Sequence, residues 1–260
     1  MKVFTLIVIV LVAAGSFGPT SFTASLAAGT FGFPLAPAPK PADAPTLESV
    51  LQKMDTAAAN FHTAQAEFEW DNYQKVIDEV IDVETGTIYY RRTGKELEMM
   101  AVVKKAGSSI PTLKPEPKYV LFSNGVIRMY QPKLDQVTLF DLGKNHSDFE
   151  SYVVLGFGGS GQDLQKAFDV TFIAPETISG IATAKLQLIP KSEKVRNTYN
   201  KIFLWIDLDR GVSVQQQFFT PQNDNRLCKY TDIQVNGKKI PDDIFKLKTT
   251  GKTQTITPHG

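Results

Sequence analysis

The chain has one cysteine, three histidines and almost no net charge, since 28 Lys and Arg stand against 27 Asp and Glu. A single cysteine, Cys228, excludes an intramolecular disulfide and leaves stability to the packed core. Histidines at 62, 146 and 259 offer no ligand spacing for zinc or iron, so neither a metal nor another cofactor is expected. The even charge argues against binding driven by phosphate or anionic-lipid electrostatics, and no nucleic-acid partner is expected. No repeat of fixed period occurs, which sets aside propellers and solenoids.

Only one long apolar run is present, Val3 to Ala14, preceded by Lys2 and followed by Gly15, Gly18, Pro19 and then Ser25-Leu26-Ala27. A charged start, a short apolar stretch and small residues describe a signal peptide, whose expected span is 1–27. A membrane-spanning helix needs about 20 apolar residues, more than this run supplies. No cysteine lies at the expected cut, so an acylated N-terminus is not expected, and the mature chain is expected free in the periplasm. Removing the leader takes away one lysine and no acid, which leaves the two signs equal at 27.

Residues 28–45 alternate Pro and Ala and read as an extended linker. From Thr46 to Phe61 the apolar positions Leu47, Val50, Leu51, Met54, Ala57, Ala58 and Phe61 follow the face of a helix. Ala64, Ala66, Phe68 and Trp70 then alternate with polar residues, a period of two that predicts a half-buried strand. Further strands are expected at Gln74–Val83, Gly86–Arg92, Glu96–Lys104, Tyr119–Ser123, Val126–Gln131 and Gln136–Leu142. The turns between them are expected at Thr85-Gly86, Thr93-Gly94, Asn124-Gly125 and Pro132-Lys133. A helical insert around the glycine-rich Gly156–Gly161 is expected within Ser147–Phe168. Strands resume at Asp169–Ile173, Ala184–Ile189, Lys201–Leu208, Val212–Phe219, Cys228–Val235 and Phe245–Lys248, and 251–260 reads as a flexible tail. The fold class is mainly β with helices: about eleven antiparallel strands, strongly curved, with helices available to cover one opening.

Gly156-Phe157-Gly158-Gly159-Ser160-Gly161 fits G-x-G-x-x-G, but a dinucleotide site also needs a βαβ unit with a well-placed acid, and Glu176 follows Pro175 in a turn. The glycines are expected to permit motion between helices. Ser160 lacks the G-x-S-x-G elbow, because Gln162 stands where its second glycine would be. No enzymatic activity is expected. In Thr87-Ile88-Tyr89-Tyr90-Arg91-Arg92, the pleat puts Arg92 with Ile88 and Tyr90, and Arg91 with Thr87 and Tyr89. Strands such as Tyr119–Phe122 and Lys201–Leu208 are apolar on both faces, as are strands that pack a core on one side and line a greasy space on the other.

In their order, several segments are similar to the periplasmic outer-membrane lipoprotein carrier family, LolA and the LolA-like lipoprotein-sorting proteins. These are the helix leading into Phe61–Phe68, Gly86–Arg92, Tyr119–Gly125 through Pro132, Leu186–Lys191, Asp207–Gly211 and Pro241–Leu247. The resemblance spans about 47–247 of the expected 46–250 domain. It implies an incomplete β-barrel closed by a helical lid over an apolar, acyl-chain-binding cavity, and an arginine, here Arg92, that bonds the lid. The expected cavity residues are Phe68, Trp70, Ile88, Tyr90, Leu121, Ile127, Met129, Leu204 and Ile206. Those of the lid are Leu47, Val50, Leu51, Met54, Tyr152, Leu155 and Phe157. The implied function is a monomeric, non-enzymatic chaperone that takes acylated lipoproteins from an inner-membrane lipoprotein-releasing ABC complex to an outer-membrane acceptor. A carrier or sensor of another lipid on the same fold is the alternative. The Pro-rich arm, the glycine-rich lid and the Thr93-Gly94-Lys95 turn, where relatives place a proline after the arginine, depart from the family pattern.

Overall fold

The computed structural model describes residues 44–94, 96–141 and 155–258. The expected leader, nearly all of the Pro/Ala segment, Tyr152 and the first part of the expected helical insert lie outside the described residues. Helix α1 (Leu47–Ala59) opens on a capping box: the Thr46 hydroxyl accepts from the Ser49 amide, and the Ser49 hydroxyl accepts from the Thr46 amide. Its Val50, Leu51 and Met54 are buried.

Twelve strands follow: β1 (Thr63–Gln74), β2 (Glu79–Thr93), β3 (Glu96–Gly107), β4 (Lys114–Ser123), β5 (Val126–Gln131), β6 (Gln136–Asp141), β7 (Phe168–Ile178), β8 (Ile181–Pro190), β9 (Lys201–Asp207), β10 (Ser213–Phe219), β11 (Asn225–Val235) and β12 (Gln254–Ile256). Helix α2 (Gly161–Ala167) precedes β7, and the short α3 (Glu193–Arg196) lies between β8 and β9. The strands form one sheet in the order β12-β6-β5-β4-β3-β2-β1-β11-β10-β9-β8-β7, antiparallel except for β12 on β6. Two hairpin meanders are therefore joined through β1 and β11, and the sheet keeps two edges, an unclosed, curved barrel.

Asn124 and Gly125 both take positive φ, as expected of an Asn-Gly hairpin, and Gly94 does so in the β2–β3 turn. Thr85-Gly86, expected as a turn, lies inside β2, and the chain turns at 75–78 instead. Gly86 answers a packing need: a Cβ there would meet the Val102 carbonyl oxygen at 2.0 Å and Phe68 at 2.8 Å.

The C-terminal region also differs from expectation. The segment read as a last strand at Phe245–Lys248 begins instead as a 3-10 helix, Asp242–Phe245, whose buried Phe245 packs with Met100, Leu121 and Ile240. Part of the expected tail is ordered as β12. Asp135 holds it there: its carboxylate accepts 2.6 Å hydrogen bonds from the Thr250 and Thr253 hydroxyls, and its carbonyl accepts one from the Gln254 amide.

Candidate functional site, the covered concave face

The alternation in β1 sends Ala64, Ala66 and Phe68 to one face, where the register sets them beside Tyr90, Ile88 and Gly86 of β2. Continued across β3 to β5, the same face carries Ala101, Phe122, Ile127 and Met129, and across β11 it carries Cys228 and Tyr230. These residues form one apolar cluster, which is the concave side of the sheet. The small alanines at 64, 66 and 101 leave room above the strands, and the ring of Phe157 belongs to the same cluster. Phe157 is fully buried; it stacks on Tyr90 with centroids 5.1 Å apart and meets Tyr230 edge-on at 5.0 Å.

Leu204 and Ile206 of β9 stand in a second cluster with Leu186 and Leu188 of β8. It is covered by Val50, Leu51 and Met54 of α1, with Leu47 partly buried against it, and by Leu155 and Leu164. Phe218 touches both clusters. Eight of the nine expected cavity residues thus fall into two adjoining groups, spanned by the Leu155–Gly158 turn, which sends Leu155 into one and Phe157 into the other. Leu121 is placed on the opposite, convex face, because the pleat gives the concave side to Val120 and Phe122. Its apolar surroundings there come from the 3-10 helix after β11, which makes β4 apolar on both sides for a reason unrelated to a cavity.

Three hydrogen bonds hold the turn from below. Arg92 Nη1 donates to the Gly158 carbonyl at 3.0 Å, and its guanidinium carbon lies 5.5 Å from the Phe61 ring centroid. The Ser213 amide donates to the Gly156 carbonyl at 2.9 Å. Gln216 Nε2 donates to the Leu155 carbonyl, while Tyr230 Oη donates to Gln216 Oε1 at 3.3 Å. Arg91 points the other way, to Glu98 and Asp242, with its guanidinium 4.3 Å over Phe245. The pleat argument therefore separates the two arginines as the sequence predicts.

The glycines of this segment, expected from sequence to permit motion, hold close contacts where the turn is seated. Gly156 and Gly158 take φ of +77° and +83°, and added Cβ atoms would lie 2.0 Å from Ser213 Cβ and 2.5 Å from the Phe61 ring. At Gly161 a Cβ would meet the Leu51 carbonyl oxygen at 2.6 Å, so the start of α2 sits directly on α1. Ser160 is the N-cap of α2: its hydroxyl accepts from the Asp163 amide at 3.0 Å and donates to the Asp163 carboxylate at 2.7 Å. Hydrogen bonds from Lys166 and Ser160 hold the Asp163 carboxyl below its usual range, with a smaller contribution from Arg92. Among the described residues no group of three or more His, Cys, Asp or Glu is placed to hold a metal, and no helix is long and apolar enough to cross a membrane.

Desolvation dominates the chemistry of the concave face. Burial pushes the Cys228 thiol up to about 12, and it raises the Tyr90 and Tyr230 hydroxyls well above their ordinary value. Nothing in this apolar patch is primed as a nucleophile. Sequence reasoning missed Gln216 and Tyr230. Gln216 alternates with Val214 and Phe218, so a polar residue on an inward position was visible, but Gln215 and Gln217 on either side hid it.

No family model and no curated protein matches the chain. Solved structures do. A crystal structure of MucB aligns over 78% of this chain at 11% identity with a TM-score of 0.48, and the alignment spans 63% of MucB, a little under two thirds of its length. An uncharacterized conserved protein from Thermus thermophilus aligns over 81% of this chain and 98% of its own at 8% identity and a TM-score of 0.49. The LolA superfamily protein NE2245 from Nitrosomonas europaea aligns over 78% and 99%, at 14% identity and a TM-score of 0.38. A LolA superfamily protein is thus among the solved structures with which this unclosed β-sheet aligns.

Proposed function

We propose that the protein is an exported, non-catalytic carrier that takes acyl chains onto its concave face when the Leu155–Gly158 turn withdraws. In this reading residues 1–27 direct export to the periplasm. The cargo is the acylated end of a lipoprotein, received from a membrane-embedded releasing complex and surrendered to an acceptor at the outer membrane. The observation that carries it is Phe157: an aromatic side chain from a short turn occupies the apolar face between Tyr90 and Tyr230, held by Arg92. An acyl chain offers the same face the same kind of contact over a greater length.

The energies permit exchange. Burying about ten methylenes yields about 8 kcal/mol at ~0.8 kcal/mol each. Against this stand the Phe157 contacts and a hydrogen bond from a charged donor, which contributes about 1.5–3 kcal/mol. Cargo of one or two chains therefore offsets lid opening while leaving transfer reversible. Arg92 acts as the latch, so Arg92→Leu loads cargo but releases it slowly, because the closed state no longer competes for the face.

The test is mass spectrometry of lipids extracted from mature protein purified out of a periplasm, with Ile88→Glu as the control for the concave face. Acylated peptide or lipoprotein, lost in the control, supports the reading. A free phospholipid or glycolipid assigns another cargo to the same face, and a protein without extractable lipid in either form contradicts the carrier function.

A further inference from the structure

The concave face changes character at the rim opposite Arg92, where β1 turns into β2 and β10 into β11. Glu84 of β2, 1% exposed, accepts from Lys118 Nζ of β4 at 2.5 Å and from Arg226 Nη2 of β11 at 3.1 Å. The register places all three on the concave side, Glu84 opposite Trp70, Arg226 opposite Asn72 and Lys118 opposite Val103. Arg226 lies with its guanidinium carbon 4.4 Å over the Trp70 ring. Each oxygen of the Glu84 carboxylate takes one cation, and Nε of Arg226 is left without a partner. The second acid on this face, Asp82, is bonded to Asn72 rather than to either cation.

Unsatisfied polar atoms gather at the same place. Among the described residues the buried side-chain atoms without a hydrogen-bond partner are Trp70 Nε1, Arg226 Nε, Asn200 Oδ1 and Thr220 Oγ1. Trp70 and Arg226 belong to the cluster just described. Asn200 and Thr220 sit where β9 begins and β10 ends on the same rim, and the Asn200 amide donates to the Phe219 carbonyl there. Native proteins pair nearly all such atoms, so four exceptions at one rim mark a place built for a polar group from outside the chain.

We propose that this rim is a head-group subsite that takes the phosphate of an anionic lipid whose chains lie on the adjoining apolar face. Arg226 supplies the forked donor that suits a phosphate, Lys118 a second positive charge, and Asn200 and Thr220 reach further head-group oxygens or hydroxyls. Lys118 and Arg226 are 11% and 15% exposed in their side chains, so the cluster is open at the rim yet shielded enough for a charge-assisted bond to count. The inference rests on the carrier reading for the position of the chains, and it names an anionic phospholipid as a second class of cargo for that face beside an acylated lipoprotein.

Titration calorimetry with 1-palmitoyl lysophosphatidate and monopalmitoylglycerol, which share chain and glycerol and differ in the phosphate, separates the two claims. The expected result is at least tenfold tighter binding of the lysophosphatidate, reduced to the affinity of the neutral lipid in Arg226→Gln. Glu84→Gln/Arg226→Gln removes the buried carboxylate with its partner and serves where the single variant fails to fold. Equal affinities in the wild type, or a preference that survives in both variants, overturns the subsite alone. Binding of neither lipid overturns the carrier reading and the subsite together. Inorganic phosphate is titrated separately: Arg226-dependent binding of phosphate, with no binding of the neutral lipid, assigns the site to the free anion and overturns the lipid source.

Discussion

Arg92 and Gly158 lie 66 residues apart in the chain and are joined by a 3.0 Å hydrogen bond from the guanidinium to the carbonyl. The bond ties the end of β2 to the turn that covers the concave face, while Phe61, just after α1, packs against both residues. One contact thus links the strand, the residue that follows the first helix and the covering turn.

Removing it should loosen the lid without unfolding the sheet. A hydrogen bond to a charged group contributes about 1.5–3 kcal/mol, so Arg92→Leu is expected to raise the open population by about ten- to a hundredfold. Cys228 reports this directly. Its thiol is buried on the concave face and held near 12 by desolvation, so it should react slowly with a thiol reagent in the wild type and at least tenfold faster in the variant. Equal rates would show that the bond does not gate the face.

Phe157→Ala should have two opposed effects. Truncating a fully buried phenylalanine costs about 3–5 kcal/mol of stability, readable as a lower urea midpoint. The space it vacates between Tyr90 and Tyr230 should bind an apolar fluorescent probe at least tenfold more tightly than the wild type does. A loss of stability with no gain in probe binding would mean that the site collapses on itself.

Gly158→Ala and Gly94→Ala separate backbone strain from contact. Both residues have positive φ, which costs an alanine about 1 kcal/mol. Only at Gly158 does the new Cβ strike a neighbour, the Phe61 ring, whereas at Gly94 nothing lies within 4 Å. The expected loss is about 1 kcal/mol at Gly94 and about 2–4 kcal/mol at Gly158, measured by denaturant unfolding.

Much of this was legible in the sequence. The period of two in Ala64–Trp70 named the concave face, the i, i+3, i+4 rhythm of Leu47–Met54 named the helix that covers the adjoining cluster on β8 and β9, and the pleat set Arg92 apart from Arg91. Long-range packing was not legible. Leu121 looks no different from Phe122 until the 3-10 helix at Asp242–Phe245 covers the convex side, and Gly86 looks like a turn until Phe68 and Val102 close on it. The ion cluster escaped notice because Glu84, Lys118 and Arg226 are each ordinary strand residues that only the strand order brings together.

Two buried aspartates should respond to pH with opposite signs. Burial, and then Glu84, raise the Asp82 carboxyl, so its ionised form weakens the native state at neutral pH, and the penalty is relieved as pH falls through the folded value. For Asp207, burial alone would raise the carboxyl, but the Arg210 and Asp209 amides and the Arg210 guanidinium hold it below its usual value. Its contribution is present above the unfolded value and is lost as pH falls through the folded one. Urea unfolding at pH 7 and pH 4 should therefore show Asp82→Asn more stable than wild type at pH 7, with the gain shrinking at pH 4. Asp207→Asn should be less stable at pH 7, with the deficit largely kept at pH 4 and shrinking only below it, as pH falls through the lowered folded value.

The central claim is that acyl chains take the place of Phe157 on the concave face. Photo-crosslinking with a palmitate analogue that carries a diazirine in its chain, followed by peptide mapping, tests it most directly. Adducts on the strands that carry Ile88, Tyr90, Met129 and Tyr230, reduced in Ile88→Glu and increased in Phe157→Ala, are the predicted result. Adducts confined to the convex face around Met100 and Leu121, or insensitive to both substitutions, would contradict it.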